Sequence, residues 1–213
     1  MGWFAPEAHD YALERLWIRW DHDFLVDWGV QPLIQSLGAS VPTLLELAYL
    51  LVYAVGPFCV LMLYVYKREH CVHDFLVIYV LGLLLSYAQF PFWPSEPPRT
   101  VFAGDLEPVA SWVRTLNLSV VGNLGIHTSV FPSAHVSGAF AAAFASWSLF
   151  SDKNGLRLAL LVYAILVAIA TVYGRYHFAV DAVAGIFVAG IAFGLGRLLL
   201  ANQQEPLHER PQL

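Results

Sequence analysis

The sequence of 213 residues is 58% hydrophobic and 13% charged, with a formal net charge of −5. Soluble domains carry about a quarter charged residues, so these charges are too few to cover a surface that faces water. No run of basic residues is longer than the Lys67-Arg68 pair, which argues against a nucleic-acid partner. The composition favours a single domain with a lipid bilayer as its solvent.

The first element is an N-terminal segment whose apolar residues recur at helical spacing between residues 9 and 38. Charged residues interrupt it, so no stretch is long enough to span a membrane. Its tryptophans, Trp17, Trp20 and Trp28, suit the level of the lipid headgroups. We predict that residues 1–38 form an interfacial segment with one or two amphipathic helices on the membrane surface. The alternative is a soluble cap that packs on the rest of the chain.

Five apolar stretches follow, and a helix needs roughly 20 apolar residues to cross a bilayer. They predict an all-α fold, a polytopic bundle of about five transmembrane helices within residues 39–201. Mixed polarity at residues 104–130 predicts a loop with a surface or partly inserted helix, and the polar tail at residues 202–213 predicts disorder. The predicted spans are residues 42–66, 75–92, 133–150, 158–173 and 178–200.

Five spans would place the two ends of the chain on opposite sides of the membrane. The side with the tail and the loops after the first and third spans holds six Lys and Arg residues, against five on the other. Arg99 and Arg175 both lie on the side with five. If they serve a functional site and are left out of the count, six basic residues on one side compare with three on the other. Basic residues favour the cytoplasmic side, so we expect an integral protein of a plasma or inner membrane with its N-terminus outside.

Three patches of unusual sequence fall on the predicted outer side: Pro97-Pro98-Arg99, FPSAH at residues 131–135 and YGRYHFAVD at residues 173–181. His177 and Asp181 are four residues apart at a helix start, so they share one face. A carboxylate beside an imidazole fixes its tautomer and stabilises its charged form, as a histidine nucleophile or base requires. A purely structural hydrogen bond is the alternative, although ionisable groups near a membrane interior generally indicate function.

The remaining candidate residues would bind an anion. Ser133 and His135 occupy the first turn of the third predicted span, and a helix N-terminus attracts anions. Arg99 and Arg175 add two positive charges suited to an anion with several oxygens. Taken singly, Ser133 could be a plain N-cap and each arginine a headgroup anchor. Taken together with the His-Asp pair, these residues predict a phosphate pocket that contains a nucleophile and an acid.

The three patches resemble the signature of the type 2 phosphatidic acid phosphatase superfamily. That signature is a Lys/Arg-Pro element, then Pro-Ser-Gly-His, then Ser-Arg followed by His-x-x-x-Asp. The resemblance covers residues 87–185 and is closest to the branch that contains the inositol phosphorylceramide synthases. The sequence departs from this signature in each element. In the first, Phe92 replaces the usual lysine and Thr100 a proline, and in the second Ala134 replaces glycine. In the third, the arginine is Arg175, two residues before His177, whereas the signature has it six residues before, where this sequence has Thr171.

The resemblance implies a membrane lipid phosphate phosphatase that works through a phosphohistidine, without a metal or other cofactor. The substrate would be a lipid phosphate or a prenyl phosphate. If an alcohol rather than water accepts the phosphoryl group, the enzyme would be a phosphotransferase like the inositol phosphorylceramide synthases. The implied roles are His177 as nucleophile, Asp181 as its orienting partner, His135 as acid and then base, and Arg99, Ser133 and Arg175 as ligands of the phosphate oxygens.

Other functions are compatible with some of these residues. A metal hydrolase could use His127, His135, His177 and Asp181 as ligands, although the arginines would repel a cation. A serine hydrolase could use Ser133, but it leaves His135 and both arginines without roles. A non-catalytic lipid-binding protein is a further alternative, whereas the lack of an inverted repeat disfavours a transporter.

Two more polar residues, Glu46 and His127, lie near the motif patches or inside a predicted span. Glu46 lies a few residues inside the first predicted span, where it would either bind a headgroup or arginine near the surface or form a buried structural pair. His127 precedes the FPSAH patch and is interpreted as a loop histidine. The oligomeric state is not indicated by any pattern in the sequence.

Overall fold

A computed structural model of the protein describes residues 10–124 and 129–204. Within these two ranges the chain is helical and contains no strand, which confirms the prediction of an all-α fold. The α-helices there are α1 Ala12–His22, α2 Val30–Ser36, α3 Ser40–Leu50, α4 Val55–Val65, α5 Val72–Tyr87, α6 Pro98–Val101, α7 Trp112–Leu124, α8 Ala134–Leu149, α9 Asn154–Tyr173 and α10 Ala179–Gln204.

The longest helical stretches have the character of membrane spans. A helix satisfies its own backbone polar groups, which lipid cannot do, and the exposed side chains here are large and apolar, as at Leu61, Phe187 and Leu198. The prediction of a polytopic helical bundle is confirmed, and the protein is an integral membrane protein. The stretches long and apolar enough to span are Ser40–Val65, Glu69–Phe92, Asn154–Tyr173 and Ala179–Asn202.

The third predicted span corresponds to α8, which has 16 residues and is shorter than the roughly 20 that a bilayer requires. Four of the described helical stretches, rather than five, therefore have the length of a span. Most side chains of α8 are buried because α5, α9 and α10 pack around it. Small residues permit this packing: a Cβ atom at Gly185 of α10 would lie 2.7 Å from the carbonyl oxygen of Ser133.

Although short, α8 connects the two ends of the bundle. At one end, the guanidinium of Arg68 contacts Asp152 and the carbonyl oxygen of Leu149, just beyond and at the end of α8. At the other end, the backbone N–H of Ser133 donates to the carbonyl of Asp181 at 3.0 Å, and that of Arg99 donates to the carbonyl of Arg175 at 3.2 Å. The three motif patches therefore meet at one end of the bundle, as their predicted placement on one side requires.

The N-terminal helix α1 packs on the bundle through its buried face. The Trp17 ring stacks on Phe131 at a centroid distance of 5.4 Å and meets Phe178 edge-on at 5.5 Å, while Trp20 and Trp28 stay exposed. Such contacts are those expected of a cap that packs on the rest of the chain, which was the alternative to an interfacial segment. Its placement on the membrane surface stays a prediction.

The helix expected within residues 104–130 is present as α7, although its depth in the membrane stays a prediction. His127 lies outside the described residues, as do residues 205–213, which form most of the tail predicted to be disordered. Helix α10 extends to Gln204 and so continues slightly into that tail.

The orientation in the membrane can be tested by cysteine labelling at the two ends of the bundle. Ala103 and Ser151 are exposed near opposite ends, and the Lys/Arg bias predicts that the end with Ala103 faces outside. In intact cells of a Cys71→Ser background, Ala103→Cys should react with an impermeant maleimide, and Ser151→Cys should react only after permeabilisation. The remaining Cys59 is fully buried. The reverse labelling pattern would show that the orientation is inverted.

Candidate active site

A cavity of about 150 Å³ lies where the three motif patches meet. Arg99 supplies the guanidinium of this cavity and His135 and His177 its two imidazoles, while tyrosines from α3, the turn after it and α5 form much of the remaining wall. The residues that line it are Tyr49, Tyr53, Tyr87, Phe90, Arg99, Val121, Ser129, Val130, Ala134, His135, Tyr176 and His177.

His177 occupies the turn between α9 and α10, and Asp181 lies in the first turn of α10. The His177 Nδ1 atom is 3.3 Å from the Asp181 Oδ2 atom, and both side chains are buried. The same carboxylate oxygen accepts the backbone N–H of Phe178 at 3.0 Å, so it also caps the start of α10. The two side chains are therefore in contact although His177 precedes the helix, and Asp181 favours the tautomer that carries its proton on Nδ1.

The environment of His177 favours its neutral form. Burial lowers the pKa of His177 to about 3, the charge of Arg99 acts in the same direction, and a hydrogen bond with the backbone of Val130 acts against it. A neutral imidazole with its proton on Nδ1 keeps a lone pair on Nε2. That lone pair is what a nucleophile or base needs.

His135 faces His177 from the first turn of α8. The two ring centroids are 5.9 Å apart, so one small group between them could contact both imidazoles. The Nε2 atom of His135 is 3.1 Å from the hydroxyl of Tyr53, and the Tyr49 ring lies on another side with a centroid distance of 5.1 Å. Neither tyrosine was predicted from the sequence. The pattern that could have indicated them is a row of polar residues, Glu46, Tyr49 and Tyr53, at helical spacing in an otherwise apolar span.

Arg99 provides the positive charge of the cavity. Its Nη1 atom donates to the carbonyl of Tyr176 at 3.3 Å, and its guanidinium carbon is 5.7 Å from the centroid of the Tyr176 ring. These contacts fix a half-buried guanidinium beside His177. Such a group is well suited to bind phosphate oxygens.

Ser133 and Arg175 directly precede Ala134 and Tyr176, which line the cavity, but are not themselves among the lining residues. Their contact with the phosphate stays a prediction. The buried Ser133 hydroxyl accepts the N–H of Val136 at 3.4 Å, so it acts as the N-cap of α8. The buried guanidinium of Arg175 lies 2.9 Å from Asp21 of α1. Each side chain therefore contacts a partner within the protein next to the cavity wall, although the Nε and Nη2 atoms of Arg175 have no hydrogen-bond partner among the described residues.

A second buried carboxylate supports the other side of the turn. The Oε1 atom of Glu46 accepts from Arg114 Nη1 at 3.0 Å, and Oε2 accepts from the Tyr176 hydroxyl at 2.6 Å and from Asn117 at 2.7 Å. Arg114 also donates to the carbonyl of Gly174 at 2.9 Å. Glu46 thus forms the buried structural pair, one of its two expected roles. Sequence analysis missed its partners, although Arg114 and Asn117 share one face of α7.

The alternative mechanisms receive little support from the described ranges. Within residues 10–124 and 129–204, no three side chains of His, Cys, Asp or Glu form a group that could hold a metal ion. His127, a proposed ligand in the metal alternative, lies outside those ranges. In a serine hydrolase, Ser133 would have to attack substrate, but its hydroxyl serves the helix cap.

Comparison with known proteins gives an independent result. The family model of the PAP2 superfamily matches residues 16–195, from the middle of α1 to most of α10. No curated protein and no solved structure matches the chain. Members of that superfamily are phosphoesterases or phosphotransferases, so the match supports an enzyme with a phosphatase-type activity. Because the match covers most of the sequence, the chain belongs to the PAP2 superfamily.

Proposed function

We propose that the protein is a membrane lipid phosphate phosphatase that cleaves a phosphate ester through a phosphohistidine on His177. The observation that carries this proposal is the arrangement of two imidazoles at a centroid distance of 5.9 Å across one cavity. His177 is backed by the carboxylate of Asp181, and Arg99 lies beside it on the cavity wall.

In the first step, the Nε2 lone pair of His177 forms a bond to phosphorus while the bond from phosphorus to the lipid oxygen breaks. Protonated His135 donates its proton to that leaving oxygen. The phosphorylated imidazole gains positive charge, which the carboxylate of Asp181 balances. Phosphoryl transfer depends more on such positioning and charge than on covalent chemistry.

In the second step, a water oxygen attacks phosphorus and His135 takes up its proton. The N–P bond breaks, and its electron pair returns to His177. Arg99 and the free N–H groups of the first turn of α8 hold the phosphate oxygens through both steps. In this scheme Ser133 and Arg175 act indirectly, by fixing the backbone that presents those groups.

An apolar groove next to the site favours a lipid as the substrate. This second cavity, of about 140 Å³, shares Tyr53, Tyr87, Ala134 and His135 with the first. It continues between the first two spans and α8, where its other lining residues are Val52, Val55, Tyr79, Leu83, Gly138 and Ala139. A phosphate bound at Arg99 could therefore extend its hydrocarbon chain toward the bilayer.

A phosphotransferase is the second candidate function, and the small positive charge of the cavity supports it. Among the described residues that line this cavity, Arg99 is the one Lys or Arg. A phosphate monoester carries about −1.5 to −2 charges near pH 7, whereas a phosphodiester carries one. A single guanidinium suits the diester as well as the monoester, and an alcohol such as inositol or the hydroxyl of a second lipid would then replace water in the second step.

The test is to offer purified protein a panel of lipids and to measure both released phosphate and new phospholipids. The panel should contain phosphatidate, prenyl monophosphate and diphosphate, and a phosphoinositol donor with ceramide. Phosphate release that requires His177 supports the phosphatase, and a new phospholipid supports the transferase. Binding without either product would favour the non-catalytic alternative.

Activity should persist in excess EDTA. Arg99 and the N-terminus of α8 supply the positive charge that a metal ion would otherwise provide. Phosphate release should be compared before and after chelation and dialysis, on the substrate that the panel identifies. Complete loss of activity that a divalent ion restores would contradict this mechanism.

A further inference from the structure

The N-terminal helix α1 ends against the turn that carries His177. Its residue Asp21 is fully buried, and each carboxylate oxygen has a partner on that turn. Oδ2 lies 2.9 Å from the Nη1 atom of Arg175, and Oδ1 accepts the backbone N–H of Ala179 at 2.8 Å. One side chain thus binds the chain on both sides of His177.

The start of α10 needs such a partner. The first N–H groups of a helix have no acceptor within the helix, and a side-chain oxygen just before the helix usually provides one. Here Phe178 precedes α10 and has no such oxygen. Asp181 accepts the N–H of Phe178, and Asp21 accepts that of Ala179. A carboxylate from a distant helix therefore completes the cap, with a charge that suits the positive end of α10.

The backbone of Arg175 gives a second reason for this contact. Its φ angle of +62° places a non-glycine residue in the left-handed region, which is costly unless surrounding contacts hold it. The Asp21 carboxylate holds the Arg175 side chain, while the Arg99 N–H donates to the Arg175 carbonyl. The path of the turn, and with it the place of the imidazole, depends on these contacts.

We propose that Asp21 is a positioning residue for His177, and that α1 is a structural part of the active site. This inference rests on the proposed function insofar as His177 is the nucleophile. Asp21 reaches no lining residue of the cavity directly; it acts through Arg175 and Ala179. Its loss should therefore lower kcat and leave KM for the lipid phosphate nearly unchanged, because Arg99 still binds the phosphate.

Removing Asp21 alone would leave a buried arginine without its charge partner, which is strongly destabilising. The test therefore uses two double variants that share Arg175→Met. Asp21→Asn retains an oxygen that can accept the Ala179 N–H, whereas Asp21→Leu cannot accept it. Both lack the buried ion pair, so thermal unfolding should verify that both fold.

We expect the leucine pair to lose about 10²-fold in kcat, the scale associated with a small misplacement of a reacting group. The asparagine pair should lose much less. Asp23→Asn, an exposed neighbour, should match the wild type. Hydrogen exchange of a peptide that contains Ala179 should be faster in the leucine pair than in the asparagine pair.

Equal kcat values for two folded double variants would overturn the positioning role. Equal exchange rates would overturn the claim that Asp21 holds the turn, whether or not the wild type is active. A wild type that forms no phosphohistidine would instead overturn the proposed function. The exchange comparison keeps these two failures distinguishable.

Discussion

Replacement of His177 by alanine should abolish turnover while the protein still folds and binds its substrate. The side chain fills a buried place beside Asp181, but Arg99, which binds the phosphate in the proposed mechanism, remains. Without the imidazole, no nucleophile can accept the phosphoryl group, so almost no activity should survive. Asp181→Asn should be intermediate, because the imidazole remains but loses its charge partner.

The measurement is to trap phosphoryl label on the protein from radiolabelled substrate. Label that is labile in acid and stable in base would identify a phosphohistidine, and His177→Ala should acquire none. The matched control is His73→Ala, since His73 is an exposed histidine near the opposite end of the bundle. If His177→Ala retains wild-type labelling and turnover, the central mechanistic proposal is wrong.

Replacement of His135 by alanine should have an effect that depends on the leaving group. Loss of a general acid typically costs about 10²–10⁴-fold, and we expect a loss of this size with a lipid phosphate. A nitrophenyl phosphate needs little protonation as it departs, so the variant should still form the phosphohistidine from it. Hydrolysis of that intermediate should then stall, because His135 also activates the water.

The observable result is a phosphoenzyme that accumulates on His135→Ala with the activated substrate and does not on the wild type. Tyr53→Phe is the matched control, since it removes the hydroxyl that contacts His135 at 3.1 Å and keeps the imidazole. An equal loss with both substrates, without accumulated label, would show that His135 does not act as acid and base.

Local patterns were sufficient to predict the helices and the His-Asp pair. A helix is encoded by its own apolar residues, and the spacing of four residues between His177 and Asp181 at a predicted helix start is a local pattern that favours their contact. Hydropathy alone could not show whether the apolar residues of α8 face lipid or are surrounded by other helices. Its alanine-rich sequence was the one local sign of close helix packing.

The partner of Arg175 could not be found in the same way. Asp21 is 154 positions away in the sequence and sits in a charged, tryptophan-containing helix of the kind expected at a membrane surface. Sequence pattern does not distinguish a solvated carboxylate from one buried against an arginine. The choice depends on how α1 packs, which only the tertiary structure shows. Tyr53 differs from Asp21, because its helical spacing from Glu46 and Tyr49 was a sequence signal, but that signal does not show which residues the row contacts.

The close approach of α8 and α10 has a consequence for the separation of the two helices that carry His135 and Asp181. The hydrogen at Gly185 is the largest substituent that fits there, because a Cβ atom would lie 2.7 Å from the Ser133 carbonyl and 3.1 Å from the Val136 side chain. A methyl group at this position would wedge apart the helices that carry His135 and Asp181. The proposed mechanism therefore depends on the absence of a side chain at Gly185, one helical turn after Asp181, because that absence sets how closely the two helices approach.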